Sequence, residues 1–433
     1  MQQKSGESLM PKRIAMFALF LLISLLFFLF SPTPEQKESP PLRLAHDKGS
    51  LPRFHQAFEI QALRAEEATG HRFVPLASQT TDLFISRMRA NLPTKEAPEF
   101  FTWWAGNRVL DLVEKGLVAD LTHLWDKHQA HYPDSIRHSY TQNGRVYGFP
   151  YSVEYWPIWY NKEIFNRLGL SPPQTWEAFI AICETLKANG IPPLLSSLQL
   201  SWYATIWFSQ LLMGEDPLFY AGLHDQAAPY RDPRVRHAME IWKDMLEKEY
   251  FTPPSTRMFT NGAHLWREEA FAMVLCGSWY PSAVLMDQGV DGNHIGVFIL
   301  PPHNPQASKS LMMESGPLFI AAQAPQRKTA ESLADWWMDT EGSLLFSQSL
   351  DTFSANRNVD QGHLPEFRKA LLSRLEQDRP QIQLRFWEAA PRPILEPVTE
   401  ILARFMLHPE SLETTMENLI SLPEYKAQNQ VSP

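Results

Sequence analysis

Residues Gly144–Lys162 read GRVYGFPYSVEYWPIWYNK. Val146, Tyr147, Phe149, Tyr151, Val153, Tyr155, Trp156, Ile158, Trp159 and Tyr160 favour extended backbone, because branched and aromatic side chains pack well on a pleated surface. Pro150 and Pro157 cannot donate to a ladder, which predicts an edge strand that is bent or divided. Glu154 sits among these aromatics and needs partners or water, since an unpaired buried charge is costly. We read the stretch as the crossing from one lobe to another, with a ligand cleft beside it.

The chain around it has 433 residues, enough for two or three domains. With 44% hydrophobic and 20% charged residues it has a globular composition. A formal charge of -9 argues against a nucleic-acid partner, whose phosphates demand a positive surface. The 14 tryptophans suit a large core or stacking on sugar rings. Cys183 and Cys276 are the only cysteines, so a four-cysteine metal site and a disulfide framework are excluded, while a single bridge stays open.

Lys4, Lys12 and Arg13 precede an uncharged run, Ile14–Phe30, followed by Ser31-Pro32-Thr33-Pro34. This has the basic and apolar regions of a secretory signal but no small-x-small cleavage site, and the run is near the lower limit for a spanning helix. An uncleaved signal anchor is expected, with a cleaved signal as the alternative. Either places the body outside the cytoplasm.

Downstream of a tether, Thr33–Pro41, strands are predicted at LRLAH, HRFVPLA and FFTWW, and helices over Leu51–Thr69 and Thr81–Leu92. Gly116 is read as the stop of a helix in NRVLDLVEKGLVADL. That alternation predicts an α/β lobe with a mainly parallel sheet. Thr175 is the expected cap of a helix from Trp176 that ends at Asn189-Gly190, with Cys183 on its core face. Further helices are expected at Trp202–Met213, Pro233–Glu249, Leu265–Phe271 and Thr329–Leu350. Further strands are expected at Phe271–Leu275, Ile295–Leu300 and Leu318–Ala322, with a mostly helical tail from Leu364.

The sequence has no G-x-S-x-G, P-loop, G-x-G-x-x-G or H-E-x-x-H signature. No catalytic residues, cofactor or metal ligands are therefore expected. His123, His128 and His131 cluster on a predicted helix and are read as a solvated face, with a metal site as the alternative.

Four segments in order carry a resemblance: Asp47-Lys48-Gly49, FFTWWAGNR, GRVYGFPYSVEYWPIWYNKEIFNRLGLSPPQTWEAF and REEAFAMVLCGSW. ESGPLFIAAQAP and ADWWMDTEGSLLFSQ extend it. Together they resemble the bacterial extracellular solute-binding proteins of the sugar-binding type, the group that includes the maltodextrin-binding protein. The resemblance implies a two-lobe α/β fold of the type II periplasmic-binding-protein kind behind the N-terminal segment. Its lobes would be 42–149 plus 301–345 and 150–300 plus 346–433, with crossings near Phe149–Ser152, Ile295–Leu300 and Leu345–Thr352.

It also implies a ligand site made of Asp47, Lys48, Trp103, Trp104, Asn107, Arg108, Glu154, Trp202, Tyr203, Trp279, Glu314 and Trp387. Asn107 stands where the family has an acid, which weakens that hydrogen bond. The implied function is an exported carbohydrate-binding subunit without catalytic activity, periplasmic or extracytoplasmic and tethered to the inner membrane. Its partners would be a carbohydrate and the permease subunits of an ATP-driven importer. A membrane-held ligand sensor and a membrane-anchored carbohydrate-active enzyme are the alternatives.

Overall fold

Leu42, Leu44 and His46 are buried, while Arg43 and Ala45 are less so; this period-two pattern is what makes LRLAH a strand with one face on the core. The computed structural model describes residues 40–223 and 229–422. The expected anchor at Ile14–Phe30 lies outside the described residues. Among those described, no helix is long and apolar enough to cross a membrane.

The strands in chain order are β1 (Leu42–His46), β2 (Phe73–Ala77), β3 (Phe100–Thr102), β4 (Thr141–Gln142), β5 (Arg145–Val146), β6 (Gly148–Trp156), β7 (Ile158–Asn161), β8 (Leu194–Leu195), β9 (Met273–Leu275), β10 (Ile295–Phe298), β11 (Ser310–Ile320) and β12 (Gln381–Leu384). One sheet runs β12-β11-β3-β1-β2 with β6 on β11, a second runs β10-β7-β9-β8, and β4 and β5 form a small hairpin. In the first sheet β1 is parallel to β2 and β3, and β12 is parallel to β11, but β11 is antiparallel to β3 and β6. The sheet is thus mixed rather than mainly parallel.

The central stretch behaves as its prolines dictate. Pro157 divides it into β6 and β7, which enter different sheets. β6 pairs β11 at the edge of the first sheet, and the register slips between Gly316 and Pro317, opposite Ser152 and Pro150. A bulge there accommodates a residue that has no amide hydrogen to give.

Local signals hold at the helix starts. Thr80 accepts from the Leu83 amide at 3.3 Å, and Thr175 accepts from the Ala178 amide at 3.2 Å. Each satisfies one of the amides that a helix N-terminus leaves without an internal partner. Gly70 takes the left-handed conformation that ends the helix Pro52–Thr69.

Four expectations need correction. β11 begins at Ser310, eight residues before the strand read at Leu318, because pairing with β6 carries the ladder through Gly316-Pro317. The tail contains a strand, β12, held by β11 in parallel register. FFTWW is extended in the ladder only to Thr102. The helical stretch near 329–350 is two helices, Arg327–Met338 and Thr340–Leu350, separated where Asp339 caps the second by accepting from the Thr340 amide at 2.8 Å. Strand β6 spans residues 149 and 150, and β12 joins the sheet of β11.

Candidate functional site

The parallel strands β2 and β3 lie on opposite sides of β1. The chain therefore changes sides at β1, and the loops leaving the carboxyl ends of β1 and β3 run in opposite directions, the arrangement at which open α/β sheets place their ligands. Both loops bear predicted site residues. Asp47 Oδ1 accepts from Thr102 Oγ1 at 3.2 Å, and Lys48 Nζ donates to Asp47 Oδ2 at 3.3 Å. His46 Nδ1 accepts from the Lys48 amide at 3.2 Å and steadies that turn.

After β3, Trp103 is 6% exposed and its indole donates to the Arg108 carbonyl at 3.0 Å, so it supports the loop from beneath. Trp104, half-buried, packs edge-on to Trp103 at 5.1 Å and to Trp387 at 6.4 Å. The Arg108 guanidinium lies 5.2 Å from the Trp104 ring and 5.0 Å from the Trp387 ring, within cation–π range of both. Asn107 Nδ2 donates to the Ala389 carbonyl at 2.6 Å. A Cβ on Gly106, whose φ is +62°, would meet the Glu388 carbonyl at 2.4 Å. Only glycine lets this turn approach the short helix Phe386–Ala389 so closely.

The same helix connects to a second group. Arg385, immediately before it and 6% exposed, donates from Nη2 to Glu388 Oε1 at 2.6 Å and from Nε to Glu388 Oε2 at 3.0 Å. Arg385 Nη2 also lies 2.6 Å from Glu314 Oε2. The other Glu314 oxygen accepts from the Trp279 indole at 2.8 Å. Trp279 packs near-parallel to Phe259 at 6.0 Å and edge-on to Trp156 at 6.2 Å, and Trp156 is edge-on to Trp202 at 6.0 Å. Arg385 sits 5.0 Å from the Trp156 ring and 5.8 Å from that of Trp202. Burial opposes the Arg385 charge, but Glu314 and Glu388 outweigh it and hold its pKa above the ordinary arginine range. Burial pushes the Glu388 carboxyl up, with Arg385 pulling the other way.

Glu154 and Tyr203 are buried beside the second group, Tyr203 edge-on to Trp202 at 5.9 Å and Glu154 opposite Glu314. Glu154, 4% exposed, accepts from Ser278 Oγ, Thr352 Oγ1 and, at 3.1 Å, Arg368 Nη1. It ties β6 to the loop after β9 and to the segment 352–368. Tyr203 is fully buried and donates to the Leu275 carbonyl at 2.7 Å, and burial raises its pKa well above the usual phenol value. Glu154 and Glu314 are directly opposite in the β6–β11 register, yet each has both oxygens engaged by different donors.

The sequence reading missed Arg385 and Phe259. A signal for Arg385 was present: Arg and Glu three apart in RFWE are neighbours on a helix turn. The chemistry gathered here is thus aromatic rings beside fixed guanidinium, carboxylate and amide groups.

Comparison with known proteins identifies the family and the fold. A family model described as bacterial extracellular solute-binding protein matches residues 61–370. An uncharacterized ABC transporter extracellular-binding protein of Pyrococcus horikoshii is 27% identical over 253 residues, 57% of this chain and 56% of that protein. A diacetylchitobiose binding protein of Streptomyces coelicolor is 21% identical over 277 residues, 58% and 59% of the two. A probable sugar-binding periplasmic protein of Mesorhizobium japonicum is 28% identical over 163 residues, covering 36% and 38%. The chain spans about half the length of the curated relatives it matches. Among solved structures, the bacterial solute receptor AcbH, described as having an exclusive preference for β-D-galactopyranose, superposes with a TM-score of 0.76 at 17% identity, covering 88% of this chain and 97% of that one. A chitin oligosaccharide binding protein gives 0.72 at 18% identity, covering 88% and 97%. The fold is that of the type II periplasmic sugar-binding proteins.

Proposed function

The chain belongs to the family of bacterial extracellular solute-binding proteins, and from that premise we propose that it binds a carbohydrate outside the cytoplasm and delivers it to an ATP-driven importer. The observation that supports this most is the run Arg385–Glu388. Its Trp387 meets Trp104 and Arg108, while its Arg385 meets Glu314 and, through it, Trp279. Aromatic planes and fixed polar groups are thereby drawn into one neighbourhood. A sugar presents an apolar ring face and a fringe of hydroxyls. Ring planes cover the first, and charged hydrogen-bond partners satisfy the second at about 1.5–3 kcal/mol each. A few such bonds with two stacked rings, less the cost of ordering, reach the roughly 8 kcal/mol of a micromolar binder. The sugar-binding relatives and neighbours are consistent with this substrate class.

In this reading the ligand surface is Asp47, Lys48, Trp104, Asn107, Arg108, Trp202, Trp279, Glu314 and Trp387, with Trp103, Glu154 and Tyr203 holding it from behind. The lobes 42–149 plus 301–345 and 150–300 plus 346–433 close on the sugar, and Ile14–Phe30 tethers the protein at the membrane. The protein performs no chemistry on its ligand.

The test is a thermal-shift and calorimetric screen of mono- and oligosaccharides on the purified chain. One saccharide class should raise the melting temperature and be recovered intact after prolonged incubation. Stabilisation by amino acids or peptides but by no sugar, or release of shortened sugars in proportion to protein, would overturn the reading.

A further inference from the structure

His128 is not on the solvated helix face that its spacing suggests. Its side chain is 4% exposed, and Nε2 lies 2.8 Å from Asp335 Oδ1. An imidazole bound to a carboxylate in this way carries its proton on that nitrogen, leaving the Nδ1 lone pair to point elsewhere. His128 Nδ1 is buried and has no hydrogen-bond partner among the described residues, and the same is true of His131 Nδ1. The two rings are 5.4 Å apart. His131 Nδ1 is 4.0 Å from Asp339 Oδ1. One ligand atom from each of His128, His131 and Asp339 falls within 4.8 Å of the other two.

We propose that His128, His131 and Asp339 form a binding site for a divalent transition-metal ion, with Asp335 as the positioning residue for His128. Two imidazole nitrogens and one carboxylate oxygen match the preferences of Zn²⁺ and its neighbours. A carboxylate on the far nitrogen of a ligating histidine is the usual outer-shell partner of such sites. The ion explains two buried nitrogens that otherwise lack partners. Tetrahedral Zn²⁺ needs its ligand atoms about 3.3 Å apart, from bond lengths of 2.0–2.1 Å. Asp339 is 59% exposed, which leaves the site open to solvent on that side. Asp339 Oδ1 already caps the next helix, which leaves Oδ2 for the ion. The ion would staple the helix Thr122–His128 and the turn Gln129–His131 to the junction of Arg327–Met338 and Thr340–Leu350. This site is separate from the proposed sugar surface, and its test does not depend on any sugar.

The full-length chain, free of any histidine tag and stripped with EDTA, is titrated with Zn²⁺ by calorimetry and with Co²⁺ by visible absorption. One equivalent should bind, with Co²⁺ giving the intense bands of a low-symmetry site. His131→Ala and Asp339→Asn should each weaken Zn²⁺ at least tenfold and abolish the Co²⁺ bands, while keeping the wild-type melting temperature in EDTA; asparagine preserves the cap. Asp335→Asn should weaken Zn²⁺ ten- to a hundredfold, the range typical of outer-shell partners. Absence of stoichiometric binding overturns the proposal. So does unchanged affinity in His131→Ala and Asp339→Asn. Loss of binding in His237→Ala, which removes a member of the second histidine–carboxylate cluster among the described residues, Glu215, His237 and His303, would assign the metal there instead.

Discussion

Trp104 and Trp279 retain exposed surface, whereas Trp156 is fully buried and Trp103 nearly so. On the proposed reading, that difference assigns binding to the first pair and packing to the second. Trp104→Ala and Trp279→Ala should each cost about 2–4 kcal/mol of sugar affinity, as hot-spot aromatics do, with little change in the melting temperature of ligand-free protein. Trp156→Ala should instead remove about 3–5 kcal/mol of stability by leaving a cavity. Calorimetry beside thermal melts reads both. Equal stability losses for all three would mean that Trp104 and Trp279 are packing residues. Glu154 invites a different experiment. It and Arg368 are both nearly inaccessible, so Arg368→Met strands a buried carboxylate and should cost about 3–5 kcal/mol. Urea denaturation curves would show it, and Glu154→Gln with Arg368→Met together should recover part of the loss.

Among the elements, the turn after β1 is sensitive to pH. Burial first, then the neighbouring His55 and Lys48, lower the His46 pKa to about 4, with Asp47 opposing. The unfolded chain, at about 6.5, takes up this proton first. Between those values the unfolded state binds more protons, so stability falls as pH drops from 6.5 to 4, by about 3 kcal/mol in total. Protonation also removes the Nδ1 acceptor that the Lys48 amide uses, so in the folded protein the Asp47 turn should loosen only as pH falls through about 4. Melting temperatures from pH 7.5 to 4.5 should slope downward in the wild type and less steeply in His46→Gln; parallel slopes would acquit His46. These elements also show what local sequence can reveal. The alternation in LRLAH and the threonine at position 175 act through neighbours within a few residues, so their readings hold; Thr80 caps its helix in the same way but was not read. β12 and the first half of β11 are strands because of each other and of β6, and neither QIQL nor MMESGP has a local pattern strong enough to say so. Trp103 and Trp104 are adjacent and chemically identical, so which one is buried is set by the course of the loop after Thr102. Arg385 was missed because Glu314 and Trp156 are distant in sequence and only the sheet brings them near.

For the whole molecule, the family pattern was legible because its segments keep their order and spacing through the body of the chain, whereas the close fit of Gly106 against Glu388 is visible only in three dimensions. Gly106→Ala should displace the helix Phe386–Ala389 and with it both groups of candidate ligand contacts. Closure on a ligand is an equilibrium that moves only by the difference in affinity between two forms. A sugar at a hundred times its dissociation constant should add about 2.7 kcal/mol of apparent stability, and the radius of gyration in X-ray scattering should shrink on saturation. An unchanged radius with full occupancy would rule out closure. The two cysteines, finally, bear on how the molecule tolerates its surroundings. Cys183 lies on the helix Trp176–Ala188 and Cys276 follows β9; both are buried unpaired thiols, and burial raises both pKa values far above the ordinary thiol range. Thiolate is the reactive form, so neither sulfur has a means of exchanging with an oxidant while the protein stays folded. A thiol reagent should find no reactive group in native protein and both after denaturation. The folded protein should therefore keep the same melting temperature in oxidising and in reducing buffer.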